Sequence, residues 1–155
     1  MLDITLDTCI LVSGSLRGSC KATNALCQKL LYLLDKEPSC LLVLDKEKHL
    51  VQKYRDKLKD GSFGRSWLGH MITTGRIHWV SYKPPLTKAC VVALNDIHFD
   101  PEDRMFVRVA ANSSQKRVAT HDVKDFSPAV CKAIKKHHAV VVNTPDEAIA
   151  FINGN

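Results

Sequence analysis

The sequence feature that most restricts the fold is the alternation of short apolar runs with segments of helical spacing. Residues 40–44 form a continuous apolar run, typical of a strand buried on both faces. Residues 49–58 follow with their apolar side chains on one helical face. The alternation continues to the end of the chain. It predicts an α/β fold with a central parallel sheet of four to five strands and helices on both faces.

The remaining elements are predicted from the same patterns. Further strands are expected at residues 4–12, at 76–82 as an edge strand, and at Val118 and Ala139. Further helices are expected at residues 21–34, 86–94, 101–111, 127–136 and 145–152. Loops are expected at residues 13–19 and 61–67. A length of 155 residues favours one domain, spanning residues 1–155.

Carboxylates recur where the predicted strands end. Asp45 follows the second strand, Asp122 and Asp125 follow the strand at Val118, and Asp7 interrupts the first apolar run. The carboxyl ends of parallel strands meet at one edge of the sheet, where ligands bind, so we expect these acids to converge. Asp103, at the start of a predicted helix, reaches the same edge. A lone carboxylate in a core run, such as Asp7, is costly unless it is paired, hydrogen-bonded or metal-bound.

Converging carboxylates indicate a cation site. Each carboxylate raises the pKa of the next, and divalent cations remove that repulsion. Hard oxygen ligands without cysteine or histidine suit Mg²⁺ or Mn²⁺ rather than zinc. Two such ions roughly 3.5–4 Å apart can activate a water and stabilise the leaving oxygen of a phosphodiester. The alternative is structural, because aspartate is common in turns and helix caps.

The ordered motifs resemble the PIN domain. That family has an N-terminal strand ending in Asp-Thr, an acid opening a helix of the form Asp-x-x-Phe-x-x-x-Ala, and a strand closing in Thr-x-Asp-x-x-Asp-Phe. This sequence has the three motifs in the same order: Asp7-Thr8, Asp103 through Phe106 to Ala110, and Thr120 through Asp122 and Asp125 to Phe126. Residues 139–148 also resemble the last strand and helix of the family, so the resemblance covers nearly the whole chain.

The resemblance implies metal-dependent cleavage of RNA, less often of DNA. Asp7, Asp103 and Asp122 would be catalytic and would hold the principal Mg²⁺ or Mn²⁺, with Asp125 tuning a second ion. Thr8 and Thr120 would orient these carboxylates without contacting the ion themselves.

The sequence departs from the family at one position. The helix after the second strand commonly carries a metal-site glutamate just before an aromatic residue, whereas here Gln52 and Lys53 precede Tyr54. Asp45 or Glu47 could substitute, and Asp45 is expected to complete the site because it lies at a strand end. Lys53 is predicted to face outward from its helix.

The charge of the chain suits a polyanionic partner such as RNA. There are 22 Lys and Arg against 16 Asp and Glu, a formal net charge of +6. If five of these acids line one cleft, the remaining 11 acids are outnumbered by the 22 bases, and the rest of the surface is strongly positive. We expect Arg65 and Lys124 to contact phosphate, and Trp67 or Phe63 could stack a base.

Cysteines and hydropathy favour a cytoplasmic protein. The six cysteines show no metal-ligand spacing and several lie in apolar stretches, which indicates free thiols in a reducing compartment. His137 and His138 are interpreted as a helix C-terminus rather than a zinc site. The sequence has neither a membrane-length apolar run nor the layout of a signal peptide, so no membrane association is expected.

Three functional classes follow. The first is a metal-dependent endoribonuclease, either toxin-like, defence-associated or RNA-processing. The second is an inactive PIN-like scaffold that binds RNA or a protein. The third is an unrelated phosphotransfer or receiver domain with clustered aspartates. A haloacid-type phosphatase would need Asp-x-Asp, and Asp7 is followed by Thr8-Cys9. The sequence leaves open the RNA target, an antitoxin or other protein partner, and a homodimer.

Overall fold

The chain folds around five parallel strands. A computed structural model describes residues 1–16 and 21–154. The strands are β1 (Leu2–Leu6), β2 (Cys40–Asp45), β3 (Ile77–Val80), β4 (Arg117–Ala119) and β5 (Val141–Asn143). They lie side by side in the order β3-β2-β1-β4-β5, and every pairing is parallel. The predicted α/β fold class is confirmed, as is the edge position of the strand near residue 77.

Eight helices in the described part of the chain connect and flank these strands. They are α1 (Thr8–Gly14), α2 (Ala22–Lys36), α3 (His49–Lys57), α4 (Phe63–Thr73), α5 (Lys88–Asp96), α6 (Arg104–Ala111), α7 (Pro128–His138) and α8 (Pro145–Asn153). Right-handed crossovers place the helices between β1 and β3 on one face and those between β3 and β5 on the other. In agreement, α2 packs against α1, and α5 packs against α7. The last helix, α8, which follows β5, packs against α2.

The prediction of one strand over residues 4–12 is wrong. The strand β1 ends at Leu6, and the apolar run continues as the buried helix α1. Asp7 causes the change, because it has extended backbone angles and its side chain accepts from Cys9 N at the start of α1. An apolar run has no periodicity that separates a buried strand from a buried helix.

The predicted glycine loop at residues 61–67 is mostly helix. Ser62 caps α4, its hydroxyl accepting from Arg65 N. Gly64 lies within this helix against α1, and a Cβ there would approach Leu11 O to 2.7 Å. The glycine therefore permits close helix packing rather than a phosphate-binding loop.

Four further predictions concern parts of the chain away from the strand ends. Residues 17–19 of the predicted first loop, and Cys20, lie outside the described residues. Five cysteines of the described chain are free thiols: Cys9, Cys27, Cys40, Cys90 and Cys131. His138 ends α7 and accepts from Thr87 N at 3.1 Å, which agrees with a helix terminus. Among the described residues, no helix is long and apolar enough to cross a membrane.

Candidate functional site

The candidate site lies where the strand order reverses. The chain runs from β1 outward to β2 and β3, then returns to place β4 on the other side of β1. Leu6 pairs with Ala119 at the carboxyl ends of β1 and β4, and Asp7 N donates to Ala119 O at 2.9 Å. Ligands of open α/β sheets bind in the crevice outside such a reversal point. Asp7 and Thr120 are the first residues beyond the two strands.

Asp7 is buried, with 6% of its surface exposed, and its carboxylate is held by hydrogen bonds. Its Oδ2 accepts from Thr120 Oγ1 at 2.7 Å and from Cys9 Sγ at 3.2 Å. Its Oδ1 accepts a longer bond from Cys9 N at 3.4 Å. These bonds compensate for part of the cost of burying the carboxylate beside the core.

The Thr120 hydroxyl connects Asp7 to the loop that follows β4. While donating to Asp7, Thr120 Oγ1 accepts from Asp122 N at 3.0 Å. Asp122 Oδ1 in turn accepts from Asp125 N at 3.0 Å. One hydroxyl therefore aligns two of the predicted ligands. Thr8 does not orient a carboxylate in this way, because its buried Oγ1 has no hydrogen-bond partner among the described residues.

Asp103 brings a further carboxylate to the crevice from the start of α6. Burial raises its pKa to about 6, and the charge of Asp7 is the next cause, while Lys53 acts in the opposite direction. Asp125 adds to the upward shift. The pKa of Asp125 is itself raised, by desolvation and then by Asp122. The charges of Asp7 and Asp125 therefore act on Asp103, and the charge of Asp122 acts on Asp125.

The floor under this crevice is aromatic. Tyr54 of α3 and Phe106 of α6 are fully buried and stack with ring centroids 6.3 Å apart. The Tyr54 hydroxyl donates to Leu6 O at the end of β1. These contacts fix α3 and α6 to the end of β1, the strand that Asp7 follows.

Lys53 is a site residue that the sequence patterns did not reveal. Predicted to face outward, it instead donates from Nζ to Glu102 O at 2.8 Å, with Asp103 Oδ1 at 3.6 Å. Its side chain is only 12% exposed. The available signal was its position directly before Tyr54, where the family resemblance leads one to expect an acid.

Asp45 has a structural role in this conformation, contrary to its predicted place in the metal site. It is fully buried, its Oδ2 accepting from His49 N at 2.7 Å and its Oδ1 from Leu50 N at 2.8 Å. It therefore caps the start of α3. Glu47 is similarly engaged, since its Oε2 accepts from Tyr82 N at 2.9 Å. Neither side chain is free to replace the missing family glutamate.

The predicted nucleic-acid contacts have different outcomes. Arg65 Nη1 donates to Arg55 O at 3.0 Å and to Leu58 O at 3.1 Å, and pairs with Asp60, so its guanidinium is largely used at the end of α3. Stacking on Trp67 is wrong, because this ring is buried and its Nε1 donates to Leu31 O. Phe63 is half-buried.

Lys124 remains available for a phosphate. It is exposed between Asp122 and Asp125, and it lines a cleft of about 460 Å³ together with Asp100 and Ser127.

The donor set suits a hard cation, but the acids do not form a closed cage. No three His, Cys, Asp or Glu side chains of residues 1–16 and 21–154 are placed to share an ion. Mg²⁺ commonly keeps several waters and uses one or two carboxylates together with substrate phosphate. The aspartates at the reversal point fit that arrangement, one hydrated ion, better than a two-ion cluster.

We expect Asp103→Asn to stabilise the metal-free protein above about pH 6. A folded pKa of about 6 against 3.8 for the free residue means that wild-type stability falls as pH rises through that window. The variant should gain about 2 kcal/mol between pH 4 and pH 7, less than the full shift implies because Lys53 loses its charged neighbour. Urea unfolding in EDTA measures this, with Asp96→Asn, at an exposed position of α5, as the control. A gain independent of pH would contradict the assignment.

No protein-family model, curated protein or solved structure matches this chain. The likeness to the PIN domain therefore depends on the ordered motifs and on where Asp7, Asp103 and Asp122 lie. The function has to be argued from the site.

Proposed function

We propose that this protein is a divalent-metal-dependent endoribonuclease of the PIN type. The observation that carries the proposal is the electrostatic coupling of aspartates from three separate segments at the sheet's reversal point. Burial raises the pKa of Asp103 most, and the charges of neighbouring aspartates, Asp7 first, raise it further. Acids brought together at a cost to their ionisation, in a crevice where ligands bind, are typical of a functional site.

Each residue of the site has a separate proposed role. One or two of the carboxylates of Asp7, Asp103 and Asp122 would hold one Mg²⁺ or Mn²⁺ together with water and substrate phosphate, with Asp125 beside them. When bound, such an ion makes a water more acidic and polarises a phosphoryl oxygen. Thr120 keeps the Asp7 carboxylate and the Asp122 backbone in register through bonds of 2.7 and 3.0 Å. In the reaction one water oxygen bonds to phosphorus, one P–O ester bond breaks, and the leaving oxygen takes up a proton.

An acidic crevice repels RNA, so basic side chains around the crevice must attract the phosphates. The excess of 22 basic over 16 acidic residues supplies a general attraction that salt will screen. Lys124 is well placed for a specific contact because it is exposed between two site acids. The preference for RNA over DNA comes from the family resemblance.

A PIN-like scaffold without cleavage activity is the second candidate. It is favoured by Lys53, whose ammonium partly neutralises Asp103, and by the structural use of Asp45 and Glu47. Such a site could hold its acids together without a metal. It would bind RNA, an antitoxin or another protein partner through the same surface.

Calorimetry with Mn²⁺ and a cleavage assay distinguish the candidates. For the nuclease we expect one bound ion per chain and Mn²⁺-dependent cleavage of a mixed RNA pool that EDTA abolishes. The Asp96→Asn control should behave as wild type. RNA binding without Mn²⁺ uptake or cleavage would establish the scaffold instead.

A further inference from the structure

Lys53 is a cation built into the acid site, with hydrogen-bonding capacity left over. Its ammonium has three donors, and Glu102 O at 2.8 Å takes one. The carboxylate oxygens of Asp103 and Glu102 are 3.6 and 3.9 Å away, beyond hydrogen-bond distance. Among the described residues no other acceptor is in reach. Two donors are therefore available to a ligand.

The ammonium is also held in place before any ligand arrives. Lys53 Nζ lies 4.9 Å from the centroid of the Phe106 ring, over the aromatic floor of the crevice. A side chain that is 12% exposed and anchored at its tip has lost much of its conformational freedom. Binding through it therefore costs little further ordering.

The position of Lys53 connects the acids to open space. It lines a groove of about 510 Å³ with residues of α3, with Glu102 before α6 and with Met105 in its first turn. The groove has no strong field of its own, since Lys53 and Lys57 are balanced by Asp56 and Glu102. Attraction for an anion here must come from a local contact, and Lys53 is the lysine of the groove that lies next to Asp103.

A purely structural ion pair accounts poorly for this arrangement. A structural pair would close to hydrogen-bond distance, whereas the separation from Asp103 is 3.6 Å. Burial and then the charge of Asp7 still raise the pKa of Asp103 to about 6, so Lys53 offsets only part of these two effects.

We propose that Lys53 donates to a non-bridging oxygen of the phosphodiester and stabilises the charge that develops there. It would supply the fixed positive charge that a second ion provides in two-metal sites. This inference rests on the proposed nuclease function. It makes Lys53 a phosphate-contacting catalytic residue and reduces the metal requirement to one ion.

The test compares Lys53→Met, Lys53→Arg and the matched control Lys57→Met. Methionine keeps the apolar stem over Phe106 and arginine keeps the charge. Lys57 is an exposed lysine one turn further along α3, in the same groove but without contact to the acids. Three quantities are measured for each variant: Mn²⁺ affinity, single-turnover cleavage, and metal-free binding of a short fluorescein-labelled RNA against salt in an Asp7→Asn background.

We expect Lys53→Met to slow cleavage by roughly 10²–10³-fold, as for loss of one transition-state donor. Its Mn²⁺ affinity should hold or rise, because a competing cation is gone. The salt slope of RNA binding should fall by about 0.7, the value for one lost phosphate contact on a single strand. Lys53→Arg should recover part of the rate, and Lys57→Met should match wild type.

Wild-type cleavage in Lys53→Met overturns the proposal while leaving the nuclease function intact. A wild-type protein that neither binds Mn²⁺ nor cleaves RNA overturns the nuclease function. In that case the phosphate contact is tested by the salt dependence of metal-free RNA binding alone. If Lys53→Met has the same salt slope as Lys57→Met, the phosphate contact of Lys53 is overturned as well.

Discussion

Asp7→Asn should abolish RNA cleavage while leaving the fold intact. Asparagine is a good helix N-cap, and its amide oxygen can still accept from the Thr120 hydroxyl. What it loses is the charge that a bound cation requires. We expect the rate to fall by more than the roughly 10–100-fold cost of losing a supporting group near a metal. Mn²⁺ affinity should fall in parallel.

The same substitution has a second, independent consequence. Asp7 is the strongest charge raising the pKa of Asp103, so removing it should lower that pKa toward the ordinary aspartate value. Stability without metal should therefore hold or rise at neutral pH. An NMR titration of the Asp103 carboxyl in EDTA measures the shift directly.

Two results would contradict this assignment. Full cleavage by Asp7→Asn would exclude Asp7 from the ion site. A large loss of apo stability would make its bonds to Thr120 and Cys9 chiefly structural. Asp122→Asn would then test the site, because among the described residues the Asp122 carboxylate accepts a hydrogen bond from its own loop, from Asp125 N.

The position of the acidic crevice could be predicted because parallel sheets follow simple rules. Short apolar runs alternate with helical segments, so the strands had to lie in parallel and their carboxyl ends had to meet. Asp7 and the Asp122 loop follow neighbouring strands in the structure, as that rule requires. The reversal of strand order between β1 and β4 could not be seen in the sequence, because it depends on pairing across more than a hundred residues.

Lys53 shows what local patterns miss. A helical wheel sorts side chains into apolar and polar faces, and on that basis a lysine beside the buried Tyr54 points to solvent. Its actual direction is set by the Glu102 carbonyl, almost fifty residues away in the chain. Snorkelling lysines have a long apolar stem, which lets them reach over a buried ring such as Phe106.

Asp45 shows a different limit of the sequence patterns. It lies at a strand end, but its carboxylate accepts from N–H groups at the start of α3 rather than pointing into the crevice. The strand-end rule places such a residue near the crevice, but a carboxylate can also cap the next helix if the connection is short. Only three residues separate Asp45 from the start of α3, so its side chain reaches the free N–H groups there.

Asp45→Ala should therefore destabilise the protein strongly. It leaves the buried N–H of Leu50 and the partly buried N–H of His49 without acceptors, and it removes the bond to His49 Nδ1 at 2.8 Å. Loss of these charge-assisted bonds should cost about 3 kcal/mol, or roughly 10 °C in Tm for a chain of this size. Urea unfolding and thermal melts in EDTA measure the loss.

Glu47→Ala is the matched control for that prediction, because Glu47 belongs to the same connection but is exposed. Its bond to Tyr82 N lies at the surface, so we expect a much smaller loss of stability than for Asp45→Ala. Asp45→Asn keeps one acceptor oxygen and should fall between the two, with Mn²⁺ affinity unchanged. If Asp45→Asn were instead as stable as wild type and lost Mn²⁺ binding, Asp45 would belong to the ion site, and its cap would be secondary to that role.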